Sequence, residues 1–484
     1  MALGNITFAQ EPVNTTSKVP VITNWTPIIG YMVYQDDISS LFYFKLILEV
    51  RLDDASGTLL AKIKQRRNGY SSDISNNRAR AFFDLRDIVN SQLVDTVFDQ
   101  NDTGVPFRTI HKIGANTTTK PFSVNGDNTT DGTQIQTIFV KAYQQYSAAA
   151  NEVPAEDLTP TVNDTLHYLQ ASLPLMTARS TDSDYVQSNA FNVYNASGST
   201  DLFLSDVEQS VGSHGVYGYV NYVRNADYHT VAFLNDESNF SSHIDKIRII
   251  YYTSAGASIN STDINNVSGN GGEAPTDGSL TDAERLIYFG CGTANLEAQT
   301  VSGASNAKPS NNSNWAYYTI QGMDGSSNAM TSLYYFINQD GSCKGFKVRR
   351  LAWRNSVGGY DYFNFKMKST QTINVQRNNY SSMLGTFNKS KWRYNNTQRG
   401  KATRQTTATL SEMLNTDWMT EQDANLLEKL ILSTDVYIVE NADTDFTQAV
   451  IIKDSTFVKK TVANDKMIKY TMSIEYSNPV NTNS

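Results

Sequence analysis

Apolar residues along this 484-residue chain fall into short alternating runs separated by turn-forming clusters, and few stretches hold helical spacing. Leu41-Phe-Tyr-Phe-Lys-Leu-Ile-Leu-Glu-Val-Arg-Leu52 predicts a strand. The turn Asp53-Asp-Ala-Ser-Gly57 leads to a second over Thr58–Lys64, which makes a hairpin. Leu85, Ile88, Val89, Leu93 and Val97 keep helical spacing behind Asp84, a capping residue type. A Pro-punctuated arm (Pro12, Pro20, Pro27) precedes this unit, and an Asn/Thr/Gly-rich loop over 114–134 follows it before strand character returns at Thr137–Tyr146.

Strands are predicted next at Gly215-Val-Tyr-Gly-Tyr-Val-Asn-Tyr-Val223, His229–Leu234 and Ile244-Asp-Lys-Ile-Arg-Ile-Ile-Tyr-Tyr252. A Gly/Ser/Asn stretch from Thr253 to Leu280 leads to Leu286–Leu296, and further strands follow at Trp315–Ile320 and Thr331–Ile337. The pattern then predicts a hairpin around Val357-Gly-Gly359, a short helix capped by Thr420 (Leu426, Leu427, Leu430, Ile431), and closing strands around a turn at Asn464-Asp465. Short strands at this spacing point to multi-domain antiparallel β-sandwiches with a few short helices, a mainly β fold. No fixed-period repeat is present. The expected organisation is an arm with a hairpin–helix unit (1–115), a loop-rich connection (116–165), a central sandwich (166–300) and a C-terminal β domain (301–484).

Composition agrees with that class. Tyr (27) and Phe (21) suit pleated sheets, and 39% hydrophobic with 18% charged residues is ample for burial. Two cysteines, Cys291 and Cys343, exclude a disulfide framework and a cysteine-rich zinc site, leaving a single bridge open. The first ten residues lack a signal-peptide pattern, and the most apolar window is far short of the roughly 20 residues of a membrane span. The expectation is a soluble chain that no standard leader secretes and that inserts in no membrane, whose Asn-x-Ser/Thr sequons (Asn5, Asn116, Asn195) are compositional.

Catalytic and cofactor signatures are weak. His111, His167, His214, His229 and His243 stand singly, without metal-ligand spacing. No phosphate loop or dinucleotide fingerprint occurs, and Gly212-Ser-His-Gly215 lacks a nucleophile elbow and reads as a turn. Asn441-Ala-Asp-Thr-Asp445 imitates a calcium loop but places Phe446 where a glycine is required. No cofactor, metal or enzymatic activity is expected.

Charge is where the chain departs from the ordinary. Residues 341–410 hold fourteen Lys and Arg against one acid, Asp361, while the other 414 residues carry 26 basic and 47 acidic groups. A one-signed field steers a surface toward an opposite partner. Within this window Lys347, Arg349, Arg350, Trp353, Arg354, Tyr360, Tyr362, Lys391, Trp392 and Arg393 combine cations with the aromatic types enriched at interface hot spots. The expected role is a protein interface. A solvated ribbon and a single-stranded nucleic-acid groove are the alternatives.

Arg350-Leu-Ala-Trp-Arg-Asn-Ser-Val-Gly-Gly-Tyr-Asp-Tyr-Phe-Asn-Phe365 resembles a segment of tail-associated structural proteins of tailed bacteriophages, of the type found in phages of marine bacteria and Bacteroidota. Phe83-Asp-Leu-Arg-Asp-Ile-Val89, Tyr288-Phe-Gly-Cys-Gly-Thr-Ala-Asn-Leu296, and the closing runs Val450–Phe457 and Lys466–Tyr476 resemble further segments in the same order. The resemblance is best over 286–478 and thin over 100–285. It implies a virion component in the tail (adaptor, hub or fibre-attachment layer), made and assembled in the bacterial host cytoplasm, that acts by protein–protein assembly, with other tail proteins and copies of itself as partners. It supplies no catalytic residues. DNA contact is a lesser expectation. The rival function is a tail-borne module binding host surface glycan, motivated by Tyr217, Tyr219, Trp315 and Tyr317.

Overall fold

The computed structural model describes residues 5–11, 21–22, 30–36, 38–68, 71–93, 110–113, 120–124, 134–171, 203–212, 214–234, 243–272, 286–340, 345–440, 447–454, 456, 458 and 468–478. Pro12, Pro20 and Pro27, Val97, Asn116, Asn195, Cys343, the calcium-like segment 441–446 and the turn at 464–465 lie outside them, while Val21–Ile22 of the Pro-punctuated arm form a short strand. The fold is mainly β, built of several sheets with short helices at Ser71–Ser75, Arg86–Asn90, Thr293–Ala298 and Glu421–Leu432 among the described residues. None of these helices is long and apolar enough to cross a membrane.

The chain divides into two compact units. The first holds the described residues of 1–339 together with 354–361, and the second those of 340–353, 362–440 and 444–484. This is a coarser and different division from the four segments expected. Strands Ile135–Ser147 and Ala155–Leu169 extend the sheet opened by Phe42–Leu52 and Leu59–Gln65, so most of the described residues of 116–165 are sheet.

The first unit contains two sheet-on-sheet packings. In one, Leu46, Leu48, Val50, Ile138, Val140 and Ala142 of the five-stranded sheet meet Tyr31, Val33, Ala81 and Phe83 of a three-stranded sheet. In the other, Ile247, Ile249, Tyr251, Tyr318, Ile320, Tyr334 and Phe336 of a six-stranded sheet meet Phe122, Val231, Phe233, Ile287 and Phe289 of a second three-stranded sheet. Alternation puts every second side chain on the inner face, so each strand contributes a row to a core about 10 Å thick. Two pairings depart from the antiparallel expectation: Tyr217–Val223 runs parallel to Tyr334–Asn338, and Val21–Ile22 runs parallel to the end of Ala155–Leu169.

The second unit is a seven-stranded sheet backed by helix Glu421–Leu432. Thr420 caps that helix as expected, its hydroxyl accepting from the Asp423 N–H in a capping box. The helix expected behind Asp84 covers only Arg86–Asn90, and Asp84 is not its N-cap: it ends the preceding strand, Leu85 takes the cap position, and the Asp84 carboxylate accepts from the Arg86 N–H at 3.1 Å.

Candidate functional site: an exposed basic arm

The basic window does two different things. Its first half is interior. Strand Arg349–Arg354 is buried at all six positions, and Trp353, fully buried, packs with Leu351, Phe365, Leu427 and Ile438. The Arg349 guanidinium donates to Glu412 (Nε to Oε1, 2.9 Å) and to Glu440, and Lys347 reaches Glu440 at 2.9 Å. Arg350 lies 5.0 Å from the Tyr362 ring centroid and donates to Asn364 Oδ1. Arg354 lies 5.9 Å from the Tyr360 ring centroid, and both Tyr360 and Tyr362 are buried.

Arg349, Arg350, Trp353, Arg354, Tyr360 and Tyr362 therefore cannot form the docking surface expected of them. The physical reason is that charge counted along a linear window omits partners elsewhere in the chain. Glu412 and Glu440 both lie beyond the window and neutralise its first cations. Burial pushes Glu412 up, but hydrogen bonds from Arg349, Tyr476 and Gln371 outweigh it and hold its pKa down at about 2. Burial and the Glu412 carboxylate push Tyr476 up to about 12. Asp361, the one acid of the window, is buried and pushed up to about 7 by that burial and by Asp206, although it accepts from the Ser205 hydroxyl and the Asp206 N–H.

The second half is an arm. Strands Thr370–Ser381 and Lys401–Asn415 pair antiparallel from Thr370↔Met413 to Ser381↔Lys401. The sheet's next strand, Thr471–Tyr476, accompanies only Ser411–Asn415. Beyond Ser411 the pair continues alone as a two-stranded ribbon, whose nine residues from Ile373 to Ser381 span about 30 Å at roughly 3.3 Å per residue. Every residue of Thr370–Ser381 is exposed. Gln371 and Tyr476 both donate to Glu412 Oε2 (3.0 and 2.6 Å), so the network that buries Arg349 also fastens the base of the arm.

The tip is a second, smaller hairpin, Thr386–Asn388 with Lys391–Arg393, turned through Lys389 in left-handed backbone (φ 59°). Phe387 and Trp392 face each other across it, ring centroids 5.1 Å apart and nearly perpendicular, and the Trp392 indole N–H donates to the Leu384 carbonyl at 2.9 Å. Gly385 (φ +105°) allows this: a Cβ there would stand 2.3 Å from Trp392 Nε1. Met383 (77% exposed), Phe387 (73%) and Tyr394 (68%) lead an apolar, solvent-facing tip.

Seven cations lie on the arm, Arg377, Lys389, Lys391, Arg393, Arg399, Lys401 and Arg404, all exposed and none ion-paired with a described residue. No acid lies between Asp361 and Glu412. Of the expected site residues, Lys391, Trp392 and Arg393 sit on this surface and Lys347 is exposed at the sheet. The arm's apolar half, Ile373, Val375, Met383, Leu384 and Phe387, escaped sequence reasoning. Its signal was a polar-apolar alternation with no second apolar run near enough to cover it.

No metal-binding cluster occurs among the described residues. His167 bonds Thr137, His243 bonds Asp245, and His214 stacks on Tyr317. Cys291 is buried, its Sγ 3.5 Å from the His229 carbonyl oxygen. Trp315 and Tyr219 belong to the sandwich interior, Trp315 against Tyr251 and Tyr219 stacked on Tyr334. No family model matches the chain, and no curated protein matches it.

Proposed function

We propose that this chain is a non-catalytic structural subunit of a bacteriophage virion, a tail component that assembles by laying its basic arm onto an acidic, partly apolar surface of a neighbouring subunit. The observation that carries the assembly reading is the arm itself. An isolated two-stranded ribbon is marginal in water, and this one exposes large apolar side chains at its tip and along its length. Covering it with a protein surface removes that cost, and seven unpaired cations select an acidic partner. Phosphates would satisfy the cations but leave Ile373, Val375, Met383 and Leu384 uncovered, which favours protein over nucleic acid. The virion and tail assignment rests on the resemblance carried by 350–365, 83–89, 288–296 and the closing strands.

The test uses the phage whose genome encodes the chain. Mass spectrometry of purified particles should find the chain, and labelled antibody should decorate the tail. The double variant Phe387→Ser/Trp392→Ser and the charge reversal Lys391→Glu/Arg393→Glu should each fold but fail to enter particles. Particles without the chain end the virion reading. Particles that incorporate both variants normally end the arm's role. Retardation of DNA by the purified chain, lost in the charge reversal and kept in the aromatic variant, would move the arm to nucleic acid.

A further inference from the structure

The six-stranded sheet of the first unit has an outer face opposite its core. Strand Lys246–Tyr252 pairs with Tyr317–Met323, which pairs with Tyr334–Asn338, and this register places Tyr252 opposite Tyr317, with Tyr317 opposite Ile337. Alternation turns Tyr251, Tyr318, Tyr334 and Phe336 inward and places Tyr252, Tyr317 and Tyr335 on the other side, where Tyr317 is buried and Tyr252 and Tyr335 are half-buried around it. The Tyr252 and Tyr317 rings stand face to face, centroids 4.9 Å apart and 13° from parallel. His214 stacks on Tyr317 at 5.9 Å, and Tyr335 lies 6.1 Å from Tyr317. Gly218 lets the Tyr335 ring cross the neighbouring strand, since a Cβ there would come within 2.5 Å of that ring.

The hydroxyls of Tyr252, Tyr317 and Tyr335 make no hydrogen bond to any described residue. They are close enough to feel one another: burial first, then the neighbouring tyrosines, raise the phenols of Tyr317 and Tyr335. The cations of the same face are already engaged. Arg248 makes two 2.8 Å hydrogen bonds to Asp263, and Lys246 bonds the Ser327 hydroxyl. The group thus offers the half-buried rings of Tyr252 and Tyr335, three donor–acceptor hydroxyls and no spare charge, with the buried Tyr317 ring as their backing.

We propose that Tyr252 and Tyr335, backed by Tyr317 with His214 beside it, form a binding site for an uncharged sugar. A pyranose has an apolar C–H face that packs on aromatic rings and a rim of hydroxyls that both donate and accept, as phenols do. A phosphate or carboxylate ligand would find no cation to pair with here. This site lies in the first unit and does not rest on the arm, so either reading can fail without the other.

The experiment presents the full-length chain to a printed array of neutral and anionic bacterial oligosaccharides and follows hits by calorimetry. A neutral oligosaccharide should bind, with affinity falling about tenfold in Tyr335→Ala, a loss of the size of one aromatic contact. Gly218→Ala, which displaces the ring, should weaken binding as well, and the Lys391→Glu/Arg393→Glu arm variant should bind as the wild type does. If Tyr335→Ala fails to fold, Tyr335→Phe keeps the wall and removes one hydroxyl, and should bind more weakly. No neutral hit, hits confined to anionic glycans, or full binding by the folded Tyr335 variants would each overturn the proposal.

Discussion

Two tryptophans of similar sequence surroundings have opposite roles. Trp353 is sealed among Leu351, Phe365, Leu427 and Ile438, whereas Trp392 is 41% exposed at the arm tip. Trp353→Ala should cost about 3–5 kcal/mol, the range for deleting a large buried ring. Trp392→Ala should stay within about 0.5 kcal/mol, as surface changes do. Denaturant unfolding of both variants checks this, and equal costs would refute the assignment of the two roles. Glu412 gives the second residue-scale outcome. Its folded-state pKa of about 2 lies below its ordinary value, so it contributes stability above the unfolded value near 4.5, and that contribution disappears as pH falls toward 2. Glu412→Gln should therefore lower stability at neutral pH and flatten the acid limb between those limits. An unchanged acid limb in thermal melts would show that the Arg349–Glu412 pair is not what holds the carboxylate. The cationic side of this network was legible as composition, because Arg349 and Arg350 lie in a visibly basic run. Its acidic side was not, since Glu412 and Glu440 reach Arg349 only through strand pairing and chain return.

Among the elements, those whose signal is local were readable in advance. The hairpin of Phe42–Leu52 with Leu59–Gln65 follows from alternation around an Asp/Ser/Gly turn, and the Thr420 helix from a capping residue before a helical apolar stripe. The arm was only half readable: its mix of cations and aromatics stands out in the run, but nothing there says that the strands on either side leave the sheet. That outcome is decided by Thr471–Tyr476, which pairs with Ser411–Asn415 and stops. The ribbon beyond should be the least protected strand pair of the second unit, because neither face is covered and opening it exposes little new apolar surface. Hydrogen exchange on the unassembled chain should show amides of 373–381 and 401–410 exchanging orders of magnitude faster than those of Leu351 or Ile438. Equal protection would mean that the arm is covered within the chain or by self-association.

For the whole molecule, the net charge of −8 conceals a partition, since an arm carrying +7 leaves −15 on the remainder. Copies should attract one another arm to body at low ionic strength and separate as the Debye length shrinks from about 30 Å at 0.01 M to about 3 Å at 1 M. Light scattering in low and high salt measures this, and loss of the low-salt species in Lys391→Glu/Arg393→Glu would assign it to the arm. A salt-independent mass would remove self-association from the set of partners. By itself the sequence determined the mainly β class, several strands, the capped helix and the charge segregation, because each depends on periods of two or 3.6, on turn residues and on composition. The tertiary structure alone decided which half of the basic window is interior, that Tyr217–Val223 pairs in parallel with Tyr334–Asn338, and that three tyrosine hydroxyls share one outer face. These depend on which strands become neighbours, and neighbours distant in the chain leave no trace in the local pattern of either one.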